Sequence, residues 1–217
     1  MKTRRLFLQY MKYAAAVVLG IGVSLSTLYL TNQENLSTVG NYKLVTSKGE
    51  KSYLQLPDGT RVWLNSCTTL EYAENYGHSN RSIYLDGEAY FEVSKNPKKP
   101  FRVKANGVTI RVLGTHFNVN AYAADSLVET TLLEGSVSVS NNANGKQMIL
   151  KPNETAIYRK STGILSMHIN ANAQNEISWR EGVLSFNDIS MGEIARQLSH
   201  HFNVTIQIKA NSYVIIN

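Results

Sequence analysis

The side chains best suited to acid–base chemistry in this sequence are two glutamates in one apparent strand. Glu88 and Glu92 are four residues apart, so in an alternating strand they share a face at a separation of about 13 Å. The paired carboxylates that hydrolyse glycosidic bonds lie about 5–9.5 Å apart. The spacing therefore favours structural roles on an exposed face over a catalytic pair.

Metal-ligating and nucleophilic side chains are scattered along the chain. Neighbouring helical positions point about 100° apart, so the adjacent pair His200 and His201 suits a solvated helix end better than a metal site. Motifs of serine hydrolases, phosphate-binding loops, zinc proteases and thioredoxins are all missing. The single cysteine, Cys67, allows no intrachain disulfide and is expected to be a small apolar filler. From these residues we expect a protein that is not an enzyme and that binds neither a metal nor a cofactor. An enzyme that acts on envelope glycans is the less favoured alternative.

An uncharged, mostly apolar run occupies residues 14–30, which as a helix would be about 25 Å long. Helices that cross a bilayer need about 17–25 such residues. Four cations precede the run, and no acidic residue occurs before Glu34. Because positive charge stays on the cytoplasmic side, we predict one transmembrane helix in the inner membrane, with the N-terminus inside and the bulk of the chain in the periplasm.

A cleavable signal peptide and a buried helix of a soluble protein are the alternatives for this run. A signal peptide needs small residues just after its apolar core. Here the run ends in bulky residues, and the only alanine cluster, at 14–16, lies at its other end. The sequence therefore favours an uncleaved anchor.

The formal net charge of +6 is unevenly distributed. The first 33 residues carry four cations and no anion, whereas the rest of the chain holds 18 Lys and Arg against 16 Asp and Glu. The excess thus reflects membrane topology, and we expect no direct contact with nucleic acid.

From Lys43 onward, apolar and polar residues alternate in short segments that are separated by turns, which is typical of β-strands. Pro57-Asp58-Gly59 predicts one such turn, because proline presets φ and Asp and Gly tolerate left-handed positions. Glycines in predicted turns separate the later strands, and they are Gly87, Gly107, Gly114, Gly135 and Gly145. We expect a mainly β fold of many short antiparallel strands, as a sandwich, a barrel or a solenoid, with a repeat array left open.

The pattern changes after a polar stretch at 167–176. Residues 178–186 predict a strand, Ser190 and Glu193 form a capping box that starts a helix, and 204–208 alternates as a second strand. The sequence thus predicts a small C-terminal βαβ module. We expect it to be incomplete, because such a unit needs a third strand to bury both faces.

Five blocks, taken in order, resemble the FecR family of transmembrane anti-sigma regulators. They are LPDGTRVWLN at 56–65, LDGEAYFEV at 85–93 continued by KPFRV at 99–103, VLGTHFNV at 112–119, LEGSVSV at 133–139 and WREGVLSF at 179–186. The last block, with the helix after it, is similar to the C-terminal module of the Bacteroidetes-type branch. That module resembles the short domain of secretins and TonB-dependent receptors.

The resemblance implies a non-enzymatic signal transducer. Its periplasmic part would receive the state of a TonB-dependent outer-membrane receptor, which takes up iron–siderophore or glycan, and relay that state to an extracytoplasmic-function sigma factor. The alternative is a membrane-anchored periplasmic binding or scaffold module without sigma-factor contact.

The unfinished βαβ unit suggests how the receptor is contacted. Its bare edge is expected to pair with the receptor's signalling domain by strand addition, through Val204, Thr205, Ile206, Gln207 and Ile208. About a dozen residues precede the apolar run, where the family usually has several tens. The sigma-binding segment is therefore expected upstream, in another protein, or absent.

These inferences give a predicted domain organisation. It comprises a short cytoplasmic segment (1–12), a transmembrane helix (13–31), a linker (32–42), a FecR-like periplasmic β domain (43–166), a second linker (167–176) and a truncated α/β module (177–217).

Overall fold

The computed structural model describes residues 19–27, 40–78, 80–184, 190–202 and 204–208. Residues 19–27 are helical (α1) and form part of the predicted transmembrane segment; the rest of that segment, and residues 1–12, lie outside the described residues. Among the residues that the structure describes, no helix is both long enough and apolar enough to cross a membrane. The chain divides into two compact units at Gly40, and the second unit carries the β-strands.

Thirteen β-strands, one 3-10 helix and a second α-helix are defined within the described part of this unit. The strands are β1 Asn41–Val45, β2 Ser52–Gln55, β3 Arg61–Leu64, β4 Thr69–Ala73, β5 Arg81–Glu92, β6 Phe101–Ala105, β7 Val108–Val112, β8 His116–Ala121, β9 Leu127–Glu134, β10 Val137–Asn141, β11 Gln147–Leu150, β12 Glu154–Arg159 and β13 Ile164–Ile169. The 3-10 helix covers Ala173–Glu181, and α2 covers Met191–Phe202. The predicted mainly β fold is confirmed.

The strands form one curled sheet whose two halves share the long strand β5. In sheet half A the order is β1-β4-β5-β6-β7-β10-β11, and in sheet half B it is β2-β3-β5-β8-β9-β12-β13. Both halves send alternate side chains into one hydrophobic core. Phe91 of β5 stacks on Phe117 of half B at 5.0 Å and meets Phe101 of half A at 5.8 Å between ring centroids. Burying this apolar surface stabilises the fold.

Strand β5 differs from the sequence prediction, which placed a turn at Gly87 between two strands. The structure has one continuous strand of twelve residues. Gly87 has φ 125°, and a Cβ there would lie 2.4 Å from Thr68 Oγ1. Glycine is thus required at this point because the backbone of Thr68 packs against it as β5 passes from one half to the other.

The pairing of β5 with β6 is a second difference, because it is parallel rather than antiparallel. The register aligns Arg81 with Phe101 and Tyr84 with Lys104. The other strand pairs are antiparallel, as expected.

The aspartate of the Pro57-Asp58-Gly59 turn forms an ion pair with a buried arginine, Arg81. Arg81 is 1% exposed, and its Nε donates to Asp58 Oδ2 at 2.5 Å. It also donates to the backbone oxygens of Ser94 and Lys99 at 2.8 and 3.0 Å. Burial acts to raise the pKa of Asp58, but hydrogen bonds, from the Thr60 N–H first and then from Arg81, outweigh it and lower that pKa. The turn therefore fixes a charged pair in the interior besides reversing the chain.

The segment after β13 also departs from the prediction. Residues 167–169, expected in a linker, end β13, and the strand predicted from Ser178 is replaced through Glu181 by the 3-10 helix. Residues 185–189, which end that predicted strand, and 209–217 lie outside the described residues. The predicted helix is present as α2, whereas Val204–Ile208 has no regular secondary structure, so the predicted βαβ unit is not formed in the described part of the chain.

Candidate functional site: a covered face of the sheet

The outer face of sheet half B carries a cross-strand row of aromatic and polar side chains. Strand register aligns Tyr53 with Trp63, Trp63 with Tyr90, and Tyr90 with Asn118. The Tyr53 and Trp63 rings are 5.0 Å apart between centroids, and the Trp63 and Tyr90 rings are 5.4 Å apart. Such cross-strand aromatic pairs contribute to sheet stability, and this row forms a broad platform on the side facing away from the core.

The 3-10 helix lies against this platform, and we call Ala173–Glu181 the covering segment. Ile177 and Trp179 are buried and form a second apolar cluster with Tyr90. The segment ends at Gly182, whose left-handed φ of 83° lets its N–H donate to Trp179 O at 3.1 Å. The alternating apolar residues that suggested a strand thus pack side chain to side chain on a sheet face and do not extend a sheet edge.

Charged groups also hold the covering segment against the sheet. The Arg180 guanidinium lies 4.2 Å from the Tyr90 ring centroid and 5.2 Å from that of Trp63, at cation–π distance. It is also 4.0 Å from Glu92, which forms an ion pair with Arg61. The buried Nε atom of Arg180 has no hydrogen-bond partner among the described residues, and the same holds for Trp179 Nε1. Buried donors without partners are costly, so this contact is weaker than its area suggests.

Glu88 sits in a buried polar pocket beside the covering segment. Its two carboxylate oxygens accept hydrogen bonds from Asn118 Nδ2 at 2.8 Å and Asn65 Nδ2 at 2.7 Å. Burial raises the pKa of Glu88 to about 7, against the lowering effect of the two amides, and the nearby charges of Glu176 and Glu129 raise it further. Glu88 therefore titrates near neutral pH, and one of the charges it senses belongs to the covering segment.

Lys51 connects the same pocket to the covering segment. Its ammonium donates to the carbonyl oxygen of Trp179. Partial burial lowers the pKa of Lys51, while the charge of Glu88 acts to raise it. The lysine and the glutamate thus form one electrostatic unit that spans the sheet and the segment lying on it.

The structure separates the predicted acid–base candidates. Glu88 and Glu92 share one face of β5, as predicted, but Glu88 is buried, so its expected placement on an exposed face was wrong. Each carboxylate has its own partners, the amides for Glu88 and Arg61 for Glu92. Within the described residues, no three metal-ligating side chains come together. The arrangement holds a chain segment on a sheet.

Sequence reasoning missed the covering segment as a functional element. In alternating strands, Trp63 and Trp179 are expected to be core residues, with partner anchors as the alternative. Trp179 is buried, but on the 3-10 helix, and the half-buried Trp63 lies on the outer face of the sheet. The predicted contact residues Val204–Ile208 are all exposed, and their role in partner binding stays a prediction. A usable signal in the sequence was Trp179 followed directly by a cation, Arg180, and two residues later by Gly182.

Comparison with known proteins identifies the family. The model of the family "FecR protein" matches residues 42–138. A crystal structure of a "putative anti-sigma factor" from Parabacteroides distasonis is 31% identical, with a TM-score of 0.71 and coverage of 76% of each chain. The chain belongs to the FecR family. A second crystal structure with the same description is 31% identical, with a TM-score of 0.70 and coverage of 75% of each chain. No curated protein matches the sequence.

The FecR-like sequence blocks occupy strands and turns of the structure. Block 56–65 spans the turn into β3, block 85–93 is the second half of β5, block 112–119 leads into β8, and block 133–139 is the β9–β10 turn. The last block, at 179–186, begins in the covering segment. The family resemblance predicted from the sequence is confirmed.

Proposed function

We propose that this chain is a membrane-anchored, non-enzymatic signal transducer that regulates an extracytoplasmic-function sigma factor. The observation that carries the proposal is membership of the FecR family, together with 31% identity to a protein described as a "putative anti-sigma factor" over 76% of both chains. In this proposal the helix predicted over 13–31 crosses the inner membrane and the β domain lies in the periplasm. The positive charges before the apolar run support that orientation.

The proposed input is a TonB-dependent outer-membrane receptor. Its signalling domain would bind Val204–Ile208 by strand addition, for which these residues are exposed and available. In the sequence, the covering segment lies between the β-strands and this contact, so it would transmit the receptor's state. Its unpaired buried donors support a contact that opens at moderate cost.

Gene deletion tests the sigma-factor role. Transcripts of a receptor operon should change in the deletion strain, and expression of the wild-type chain should restore them. Unchanged transcription of every receptor operon would contradict regulation of a sigma factor and favour the scaffold alternative.

Proline substitution tests the strand-addition contact. Gln207→Pro removes a backbone N–H and should abolish binding of the receptor's signalling domain, whereas Gln207→Ala removes only the side chain and should leave binding intact. Binding can be measured by titration calorimetry with the purified full chain. Equal binding of the two variants would refute the strand-addition contact and leave the sigma-factor role to the deletion experiment.

A further inference from the structure

One stretch of the β domain is strongly basic, although residues 34–217 together hold 18 Lys and Arg against 16 Asp and Glu. Residues 95–111 hold no Asp or Glu, and their cations are Lys95, Lys98, Lys99, Arg102, Lys104 and Arg111. This stretch forms the loop before β6, then β6 and β7. The overall count of charges hides this local excess.

Strand pairing gathers three of these cations on the outer face of sheet half A. Arg102 of β6 lies directly opposite Arg111 of β7 in the register. Lys104 is two residues further along β6, so it points to the same side at a distance of about 7 Å. Lys104 and Arg111 are exposed and Arg102 is half-buried. Like charges placed directly opposite each other destabilise a sheet.

These three cations, which we call the basic face, have no partner in the part of the chain that the structure describes. None of them forms an ion pair or donates a hydrogen bond to another described residue. Elsewhere on the same outer face, Lys43 is paired with Glu71 at 2.9 Å. The sheet thus neutralises one cation internally and leaves a contiguous group of three facing outward.

Most residues beside the basic face are short. Register places Ser82 next to Arg102 and Ser138 next to Arg111, so both guanidinium groups project beyond these serines. Lys104 lies between Thr109 on one side and the exposed Tyr84 on the other. Such a surface can contact a flat layer of anionic groups at several points at once.

In the proposed function, the bilayer that holds the membrane helix is such a flat surface. Nine residues, 32–40, separate the predicted membrane helix from β1, and in any conformation they span at most about 30 Å. Strand β1 belongs to sheet half A, the half that carries the basic face. If the anchor is present, the length of this linker limits the distance between the end of the membrane helix and β1 to about 30 Å.

We propose that the basic face docks on anionic phospholipid headgroups of the membrane in which the chain is anchored. This inference rests on the proposed membrane anchor. A Lys or Arg side chain near an anionic membrane surface strengthens binding about fivefold, so three together give about a hundredfold. Docking would orient the β domain and hold sheet half B, with its covering segment, toward the periplasmic partner.

Chemical modification of Lys104 tests the docking. The purified full chain is reconstituted in vesicles of phosphatidylcholine alone or of phosphatidylcholine with phosphatidylglycerol, treated with an amine-acetylating reagent and analysed by peptide mass spectrometry. Lys104 should be acetylated several-fold more slowly in the anionic vesicles, relative to exposed Lys151 as internal reference. Addition of 0.5 M salt, a concentration at which the screening length is only a few ångströms, should abolish the difference.

Two charge-matched variants make the test specific. Arg102→Gln with Arg111→Gln should remove the protection of Lys104, whereas Lys48→Gln with Arg159→Gln, at exposed sites away from the basic face, should keep it. Equal reactivity of Lys104 in both vesicle types would overturn the docking. Protection that survives Arg102→Gln with Arg111→Gln would overturn it too.

Alkaline extraction of the same vesicles separates this inference from the proposed function. A chain that alkali releases is not anchored, which would refute the membrane helix. A chain that stays in the membrane while Lys104 reacts equally in both vesicle types would refute the docking alone.

Discussion

The buried carboxyl group of Glu88 should make the stability of the β domain depend on pH around neutrality. Its folded-state pKa of about 7 lies above the ordinary value of 4.5, because burial disfavours the charged form. An acid with a raised folded-state pKa contributes stability that is present at low pH and is lost as pH rises through that pKa. The free energy of unfolding should therefore fall between pH 5 and pH 8.

The size of the effect follows from the shift. At about 1.4 kcal/mol per pKa unit, the full shift corresponds to about 3 kcal/mol, of which about 2–3 kcal/mol falls between pH 5 and pH 8. That is a sizeable part of the roughly 5–15 kcal/mol that stabilises a typical domain. Asp58 acts in the opposite direction, because its pKa is lowered, and loses its contribution only in more acidic solution. The two effects are therefore separated on the pH scale.

Urea unfolding of the purified full chain in a mild detergent measures this dependence. The fluorescence of Trp63 and Trp179, which lie on either side of the covered face, reports unfolding near the site. Glu88→Gln keeps the side chain neutral and should flatten the dependence between pH 5 and pH 8, whereas Glu74→Gln, at an exposed carboxylate, should keep the wild-type slope. A Glu88→Gln variant with the wild-type slope would refute the assignment of this titration to Glu88.

Three further substitutions probe the fold and its covered face. Arg81→Met should lower the free energy of unfolding by about 3–5 kcal/mol, measured by urea denaturation, because the Asp58 carboxylate loses its cation and the carbonyl oxygens of Ser94 and Lys99 lose their donor; Arg102→Gln should change it little. Gly87→Ala should lower the melting temperature by several degrees, since its Cβ would lie 2.4 Å from Thr68 Oγ1 at a φ of 125°, whereas Gly145→Ala, which meets only open space, should cost less. Trp179→Ala should speed tryptic cleavage after Arg180 at least about tenfold while cleavage after Arg81 stays slow, because the covering segment loses its main buried contact; unchanged cleavage would contradict a segment that opens locally.

The strands of the β domain could be predicted from the sequence because alternation and turn chemistry are local properties. The Pro57-Asp58-Gly59 turn and the hairpin at Gly135 both lie where their residue types predicted them. The candidate site could not be predicted in the same way. Asn65, Glu88 and Asn118 are separated by 23 and 30 residues and meet only because β5 pairs with its neighbours.

The sequence by itself determined the mainly β character, the family and the apolar run near the N-terminus, because each is written in residue types at short spacing. Tertiary structure decided which polar side chains are buried. Arg81 and Asp58, 23 residues apart, become an interior ion pair. The apolar residues Ile177 and Trp179 are two positions apart, a spacing that is compatible with a strand. In the structure they belong to a 3-10 helix that packs on Trp63 and Tyr90. Burial is a property of what the rest of the chain places around a residue, and it is the largest cause of the raised pKa of Glu88, which is about 7.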